Sequence, residues 1–187
     1  MLQIAVLYTI PGKGFERSGI IDSTAMFIGY WYPEMAVRDD IDGWDRIVYD
    51  AGTEFYHDYS DYDVEVEAPD NFMVWASVAP DNGSAVYPDF IQQRISTAQK
   101  SKAPVVIVGS EDYKNKLQIK SHTWHYTAKN FPDFAFALSD HFIWEARQYK
   151  NMHGWMKAWR NTLFIMQWIQ SIWSSAGLSS LLKLFRL

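Results

Sequence analysis

Five histidines, His57, His122, His125, His141 and His153, are the side chains best suited to hold a metal or move a proton near neutral pH. None lies in an H-E-x-x-H pattern, and no two have the i, i+4 spacing that pairs imidazoles on one helix face. His122 and His125 are three apart in a strand-like run, so they leave by opposite faces and do not share an ion. Glu54-Phe55-Tyr56-His57-Asp58, with Asp61 and Asp63, offers several oxygens of the kind calcium or a sugar would take. It lacks the Asp/Asn and Gly order of a dedicated calcium loop, and reads as a strand turn with an acidic, solvated face. Ser110-Glu111-Asp112 sets a hydroxyl beside two acids, but no G-x-S-x-G elbow exposes it. Gly12-Lys13-Gly14 lacks the glycine spacing and the Lys-Ser/Thr pair of a phosphate loop. With no cysteine, thiol nucleophiles, disulfides and Cys-containing zinc sites are excluded. Residue types alone assign no catalytic, cofactor-binding or metal residue.

The elements that would position such groups are mostly strands. The chain has 187 residues, 48% hydrophobic and 17% aromatic, which suits one medium domain, or one domain and a tail, and argues against disorder. A formal charge of −5 argues against a nucleic-acid face. Met1–Tyr8 lacks the basic start and small-residue cleavage site of a signal peptide, and reads as a strand that begins abruptly before Pro11-Gly12.

Runs rich in β-branched and aromatic residues predict strands at Leu2–Thr9, Ala25–Tyr32, Tyr62–Glu67, Phe72–Val78, Val105–Val108, Ile119–Ala128 and Phe134–Leu138. Pro69-Asp70-Asn71, Asp81-Asn82-Gly83 and Asn115 mark turns. Two runs alternate strictly. Tyr62, Val64 and Val66 oppose Asp61, Asp63, Glu65 and Glu67, while Trp124, Tyr126 and Ala128 oppose Thr123, His125 and Thr127. Phe90, Ile91, Ile95 and Ala98 follow Tyr87-Pro88-Asp89 at helical spacing, predicting one helix over about 88–101. The expected fold is all-β, an antiparallel sandwich with one helical insertion.

Near Glu145 the composition changes. Residues 147–187 hold six basic groups and no acid, along with Trp155, Trp159, Trp168 and Trp173. Trp155, Trp159, Leu163, Met166, Ile169 and Trp173 form one apolar stripe, which predicts an amphipathic helix ending at Gly177. The longest apolar run of this tail, Leu163-Phe164-Ile165-Met166, is far shorter than the roughly 20 residues of a membrane span. A basic, Trp-bearing helix can also lie on a lipid surface, though docking on a core is the commoner use of such a stripe.

Five phrases are specific in combination. Trp31-Tyr32-Pro33-Glu34-Met35-Ala36-Val37-Arg38-Asp39-Asp40-Ile41-Asp42-Gly43-Trp44 is followed by Gly52-Thr53-Glu54-Phe55-Tyr56 and by Asp61-Tyr62-Asp63-Val64-Glu65-Val66-Glu67-Ala68-Pro69. Then come Thr123-Trp124-His125-Tyr126-Thr127-Ala128-Lys129-Asn130 and Asp133-Phe134-Ala135-Phe136-Ala137-Leu138-Ser139. Over residues 1–146 this order resembles the N-terminal sandwich of aminopeptidase-N-like zinc metallopeptidases, the gluzincins. The resemblance implies a saddle-shaped β domain preceding a thermolysin-like catalytic domain. There an H-E-x-x-H helix and a later Glu hold zinc, and the first Glu serves as base toward the metal-bound water. The match ends before that domain, so no zinc ligand, base or catalytic Tyr is carried over. The family's amine-recognising Gln or Glu would fall near Tyr30-Trp31-Tyr32, where this chain has aromatics.

The implied chain is thus a non-catalytic segment, inactive alone, whose cofactor, zinc, belongs to the full-length family. Its implied partners are a catalytic domain or a second copy of itself. The family's catalytic domain also contains a Y-A-W-M-D-E-G run. Lys150-Asn151-Met152-His153-Gly154-Trp155-Met156-Lys157-Ala158 can be written in codons that, read two bases later, encode Glu-Tyr-Ala-Trp-Met-Asp-Glu-Gly. On that reading residues 147–187 are an out-of-frame remnant. A different class of function remains open, a peptide- or protein-binding module presenting Tyr30, Trp31, Trp44 and Tyr56 with the tail helix docked on a partner.

Overall fold

The computed structural model describes residues 3–7, 9–10, 12, 18–47 and 57–148, together with the backbone of 162–166. In chain order the elements are β1 (Ser18–Asp22), β2 (Ala25–Ile28), β3 (Ser60–Glu67), β4 (Met73–Ala76), α1 (Gly83–Val86), α2 (Asp89–Ala98), β5 (Val105–Val108), α3 (Ser110–Lys114), β6 (Thr123–Phe131), β7 (Phe136–Ser139), β8 (Trp144–Gln148) and β9 (Thr162–Met166). The protein is mostly β, built of antiparallel sheets with a few short helices.

Strict alternation decides the longest ladder. β3 and β6 run antiparallel with Val64 opposite Tyr126 and Val66 opposite Trp124. Val64, Val66, Trp124, Tyr126 and Ala128 are buried, whereas Asp61, Asp63, Glu65 and Glu67 are exposed. A one-residue slip would exchange those faces, so burial of the two large rings pins the register. Trp124 and Tyr126 have no accessible surface at all.

The chain forms two compact units. The first joins Met1–Ala68, Met73–Asn82 and Thr123–Leu138. Besides the β3–β6 ladder it holds a sheet in the order β1-β2-β7-β4. β1 and β2 form a hairpin whose turn is closed by the Asp22 carboxylate, which accepts from the Thr24 amide at 2.9 Å. Ser18 fastens the open end: its hydroxyl donates to the Gly29 carbonyl and accepts from the Gly29 amide. Ala25, Ile28, Met73, Val74 and Phe134 add to the buried core.

The second unit joins Pro69–Phe72, Gly83–His122 and Ser139–Leu187. Its sheet has the order β5-β8-β9, with α2 packed on β5 and β8. Ile91 and Ala98 supply the buried stripe of α2, two turns apart, while Phe90 faces out beneath the Arg94 guanidinium at 4.9 Å. The helix falls where its spacing predicts.

Several expectations need correction. The run Leu2–Thr9 forms no strand over its described residues 3–7, which are exposed and have no pairing partner. β2 stops at Ile28 because Tyr30 adopts a left-handed φ of 49°, which breaks an extended run. β1 and β8 are strands that the residue types leave unmarked, and β8 runs through the charge step at Glu145. Within the tail only the backbone of Thr162–Met166 is described, and it runs as β9 antiparallel to β8. The remaining stripe residues lie outside the described residues. No described helix is long and apolar enough to cross a membrane.

Replacing Trp124 with Ala should lower the free energy of unfolding by about 3–5 kcal/mol in urea titrations, as expected for a large ring lost from a packed core. Glu65→Ala, on the opposite face of the same ladder, should change it by no more than about 0.5 kcal/mol.

Candidate functional site

Tyr32 is the hub of a polar and aromatic cluster in the first unit. β2 ends at Ile28 and the left-handed Tyr30 turns the chain, so Trp31 and Tyr32 arrive beside the ends of β3 and β6. The Tyr32 hydroxyl donates to Asp133 Oδ1 at 2.8 Å and lies 2.9 Å from the Tyr62 hydroxyl. The Trp31 indole donates to the Phe134 carbonyl at 2.9 Å. Around these bonds the rings meet edge to face: Trp31 with Tyr32 at 5.1 Å, Tyr32 with Tyr62 at 5.7 Å, and Trp31 with Phe136 at 5.7 Å. Beside them Glu34 Oε2 approaches His57 Nδ1 at 3.0 Å, both side chains largely covered.

This arrangement fixes the protonation of its hub. Burial, the bonds to Tyr62 and Asp133, and the Asp133 charge together push the Tyr32 phenol far above its ordinary range. The phenol therefore stays protonated and donates its hydrogen bond to Asp133. The cluster ties these aromatic side chains together through hydrogen bonds and edge-to-face contacts.

The sequence-derived candidates are scattered. His125 Nε2 meets Asp63 at 2.8 Å across the β3–β6 ladder, and its Nδ1 lies 3.6 Å from Asp81. Thr127 donates its hydroxyl to the same Asp81 at 2.8 Å. His122 pairs with Asp70 at 3.2 Å in the second unit, so the two histidines have separate carboxylates. Asp61 accepts from the Asn130 amide at 2.8 Å, which leaves Asp61 and Asp63 with different tasks. Glu54, Phe55, Tyr56, Lys13, Gly14 and His153 lie outside the described residues. Among the described residues no three His, Cys, Asp or Glu side chains come together as a metal-binding group.

Two further arrangements lie in the second unit, the second of them around Ser110-Glu111-Asp112. Ser139, Asp140 and His141 are consecutive, and both Ser139 Oγ, at 3.2 Å, and Asp140 Oδ1, at 2.7 Å, address the same ring nitrogen, Nδ1 of His141. A catalytic triad needs them on opposite nitrogens. Ser139 is also fully buried and accepts from the His141 amide, so this is a local turn. The other is a groove of about 490 Å³ lined by Arg94, Val106, Gly109, Ser110, Glu111, Asp112, Ile143 and Glu145. Arg94 donates to Asp112 at 2.7 Å and to the Ile107 carbonyl at 2.9 Å. Partial burial works to raise the Asp112 carboxyl, but the Arg94 bond, the Gly109 amide and the Arg94 charge outweigh it and hold the group below the usual range. With its cation so engaged, the groove presents an acidic rim and no paired base and nucleophile.

Comparison with protein-family models, curated proteins and solved structures gives no match.

Tyr113, whose hydroxyl donates to the Phe142 carbonyl at 2.8 Å, is likewise raised, by burial first and then by Asp140 and Asp112. Tyr32 and Tyr113 both keep their protons longer when folded, so the unfolded chain deprotonates first as pH climbs. Stability should be full below about pH 10 and fall above it. In Tyr32→Phe, unfolding free energy should drop by about 1–2 kcal/mol at neutral pH, and its decline in alkali should become shallower. An unchanged alkaline slope in that variant would contradict the assignment.

Proposed function

We propose that this chain is the N-terminal, non-catalytic β segment of a zinc-dependent aminopeptidase-like metallopeptidase, folded as a saddle-like sandwich and inactive by itself. The observation that carries the proposal is the meeting of phrases that are distant in sequence. Trp31-Tyr32, from the first phrase, is bonded to Tyr62 of the third and to Asp133 and Phe134 of the fifth. The third, fourth and fifth phrases supply β3, β6 and β7. Residues that make the resemblance thus contribute to the packing of the first unit, which supports a shared scaffold.

Peptide hydrolysis requires an ion that polarises the carbonyl and a base positioned on water. The sequence contains no H-E-x-x-H, so the reading assigns that chemistry to a separate domain. Residues 147–187, in the same reading, are an out-of-frame remnant left after an internal deletion.

A second reading, a binding module, is favoured by one specific surface. A bridge between Arg38 and Trp44 closes a small hairpin, and Asp39 caps its tip by accepting from the Ile41 and Asp42 amides. The hairpin and its flanks expose Met35 at 75%, Ile41 at 86% and Ile47 at 69%. Apolar groups at that density are suited to packing against another protein.

Purified protein incubated with zinc should release no nitroaniline from amino-acid nitroanilides. Zinc-dependent turnover by this chain would refute the proposal. Sedimentation should show self-association that weakens in Ile41→Lys, whereas a monomer at all concentrations would remove the case for the hairpin as a docking surface. Nucleotide sequence across residues 150–158 that cannot encode the shifted run would eliminate the remnant.

A further inference from the structure

Asn82-Gly83 combines a reactive pair with an unusual restraint. An asparagine followed by glycine is the dipeptide most open to succinimide formation, because no side chain shields the following backbone nitrogen. Here the Asn82 amide is spoken for at both ends. Its Nδ2 donates to the Thr123 carbonyl at 2.9 Å, and its Oδ1 accepts from the His125 amide at 3.1 Å. The Asp81 amide donates to the His125 carbonyl at 2.8 Å. Asp81-Asn82 therefore lies along the first residues of β6 much as a strand would, with Asn82's side chain standing in for backbone. Thr127 Oγ1 steadies the turn through Asp81 at 2.8 Å.

We infer that Asn82 is a deamidation site gated by its docking on β6. In the reaction the Gly83 nitrogen bonds to Cγ of Asn82 and gives up its proton, the Cγ–Nδ2 bond breaks, and ammonia leaves. Water then opens the cyclic imide to aspartate or isoaspartate, so one water is consumed for each ammonia released. While Nδ2 and Oδ1 are held on Thr123 and His125, Cγ cannot swing to the Gly83 nitrogen. The turn must open first, and the chemistry records that opening.

The product cannot dock again as before. A carboxylate oxygen would face the Thr123 carbonyl in place of a donor, and a new negative charge would join Asp81 and Asp63 around His125. Isoaspartate would also lengthen the backbone at the peptide bond where the chain leaves the first unit and enters the second. The modification is thus a one-way release of the turn.

The test follows the peptide containing Asn82 by mass spectrometry after incubation of the whole protein at mildly alkaline pH, with and without urea. Deamidation in the folded protein should be slower by about tenfold or more than in the unfolded chain. Thr127→Val removes the hydroxyl that steadies Asp81 at an exposed position. It should accelerate the folded-state reaction several-fold while leaving the rate in urea unchanged, with circular dichroism confirming that the variant is folded. Gly83→Ala should slow the reaction in urea. Equal rates with and without urea, a Thr127→Val rate no faster than wild type, or a Gly83→Ala rate equal to wild type in urea would each overturn the inference.

Discussion

A ladder that must be oily on one side and wet on the other governs the first unit. Val64 and Val66 with Trp124, Tyr126 and Ala128 fill one face of β3 and β6, and four carboxylates line the other. Once the two rings are buried, register is no longer adjustable, and the positions of Tyr62, His125 and the residues after β6 follow. Asp133 and Phe134 come after the end of β6, so the acceptors used by Tyr32 and Trp31 are set by the same constraint.

The Tyr32 cluster illustrates how polar groups are tolerated among aromatics. The phenol, the indole and the carboxylate each meet a partner, and the rings pack around those bonds edge to face. Burial and these bonds favour the neutral phenol, which donates to Asp133. A site built this way gives shape and stiffness. Such a surface suits packing against another group.

What the amino-acid order reveals depends on whether the signal is local. β3 and β6 are legible because alternation is a property of each strand alone, and α2 because Ile91 and Ala98 repeat at helical spacing. β1 and β8 are not, since Ser18–Asp22 and Trp144–Gln148 owe their extended form to partners rather than to their own residues. The reverse holds for residues 3–7, whose apolar character promises a strand that finds no neighbour. The Tyr32 hub was hidden for a related reason: its bonds join residues separated by 30 and 101 positions, and no spacing rule connects them. One trace was readable, a lone Asp133 set among aromatics. The backbone at Tyr30, left-handed without being glycine, carries no residue-type signal at all.

The margin of the second sheet carries a consequence for solubility. β5 is four aliphatic residues in succession at the edge of its sheet, a composition that invites a foreign strand to add on. Arg94 already occupies the Ile107 carbonyl, and Asp112 anchors the guanidinium there. A neighbouring molecule seeking to extend the sheet toward a fibril would have to evict a tethered cation. The ion pair that orders this corner is therefore also a sentry against templated aggregation, and acid strong enough to neutralise Asp112 would dismiss it.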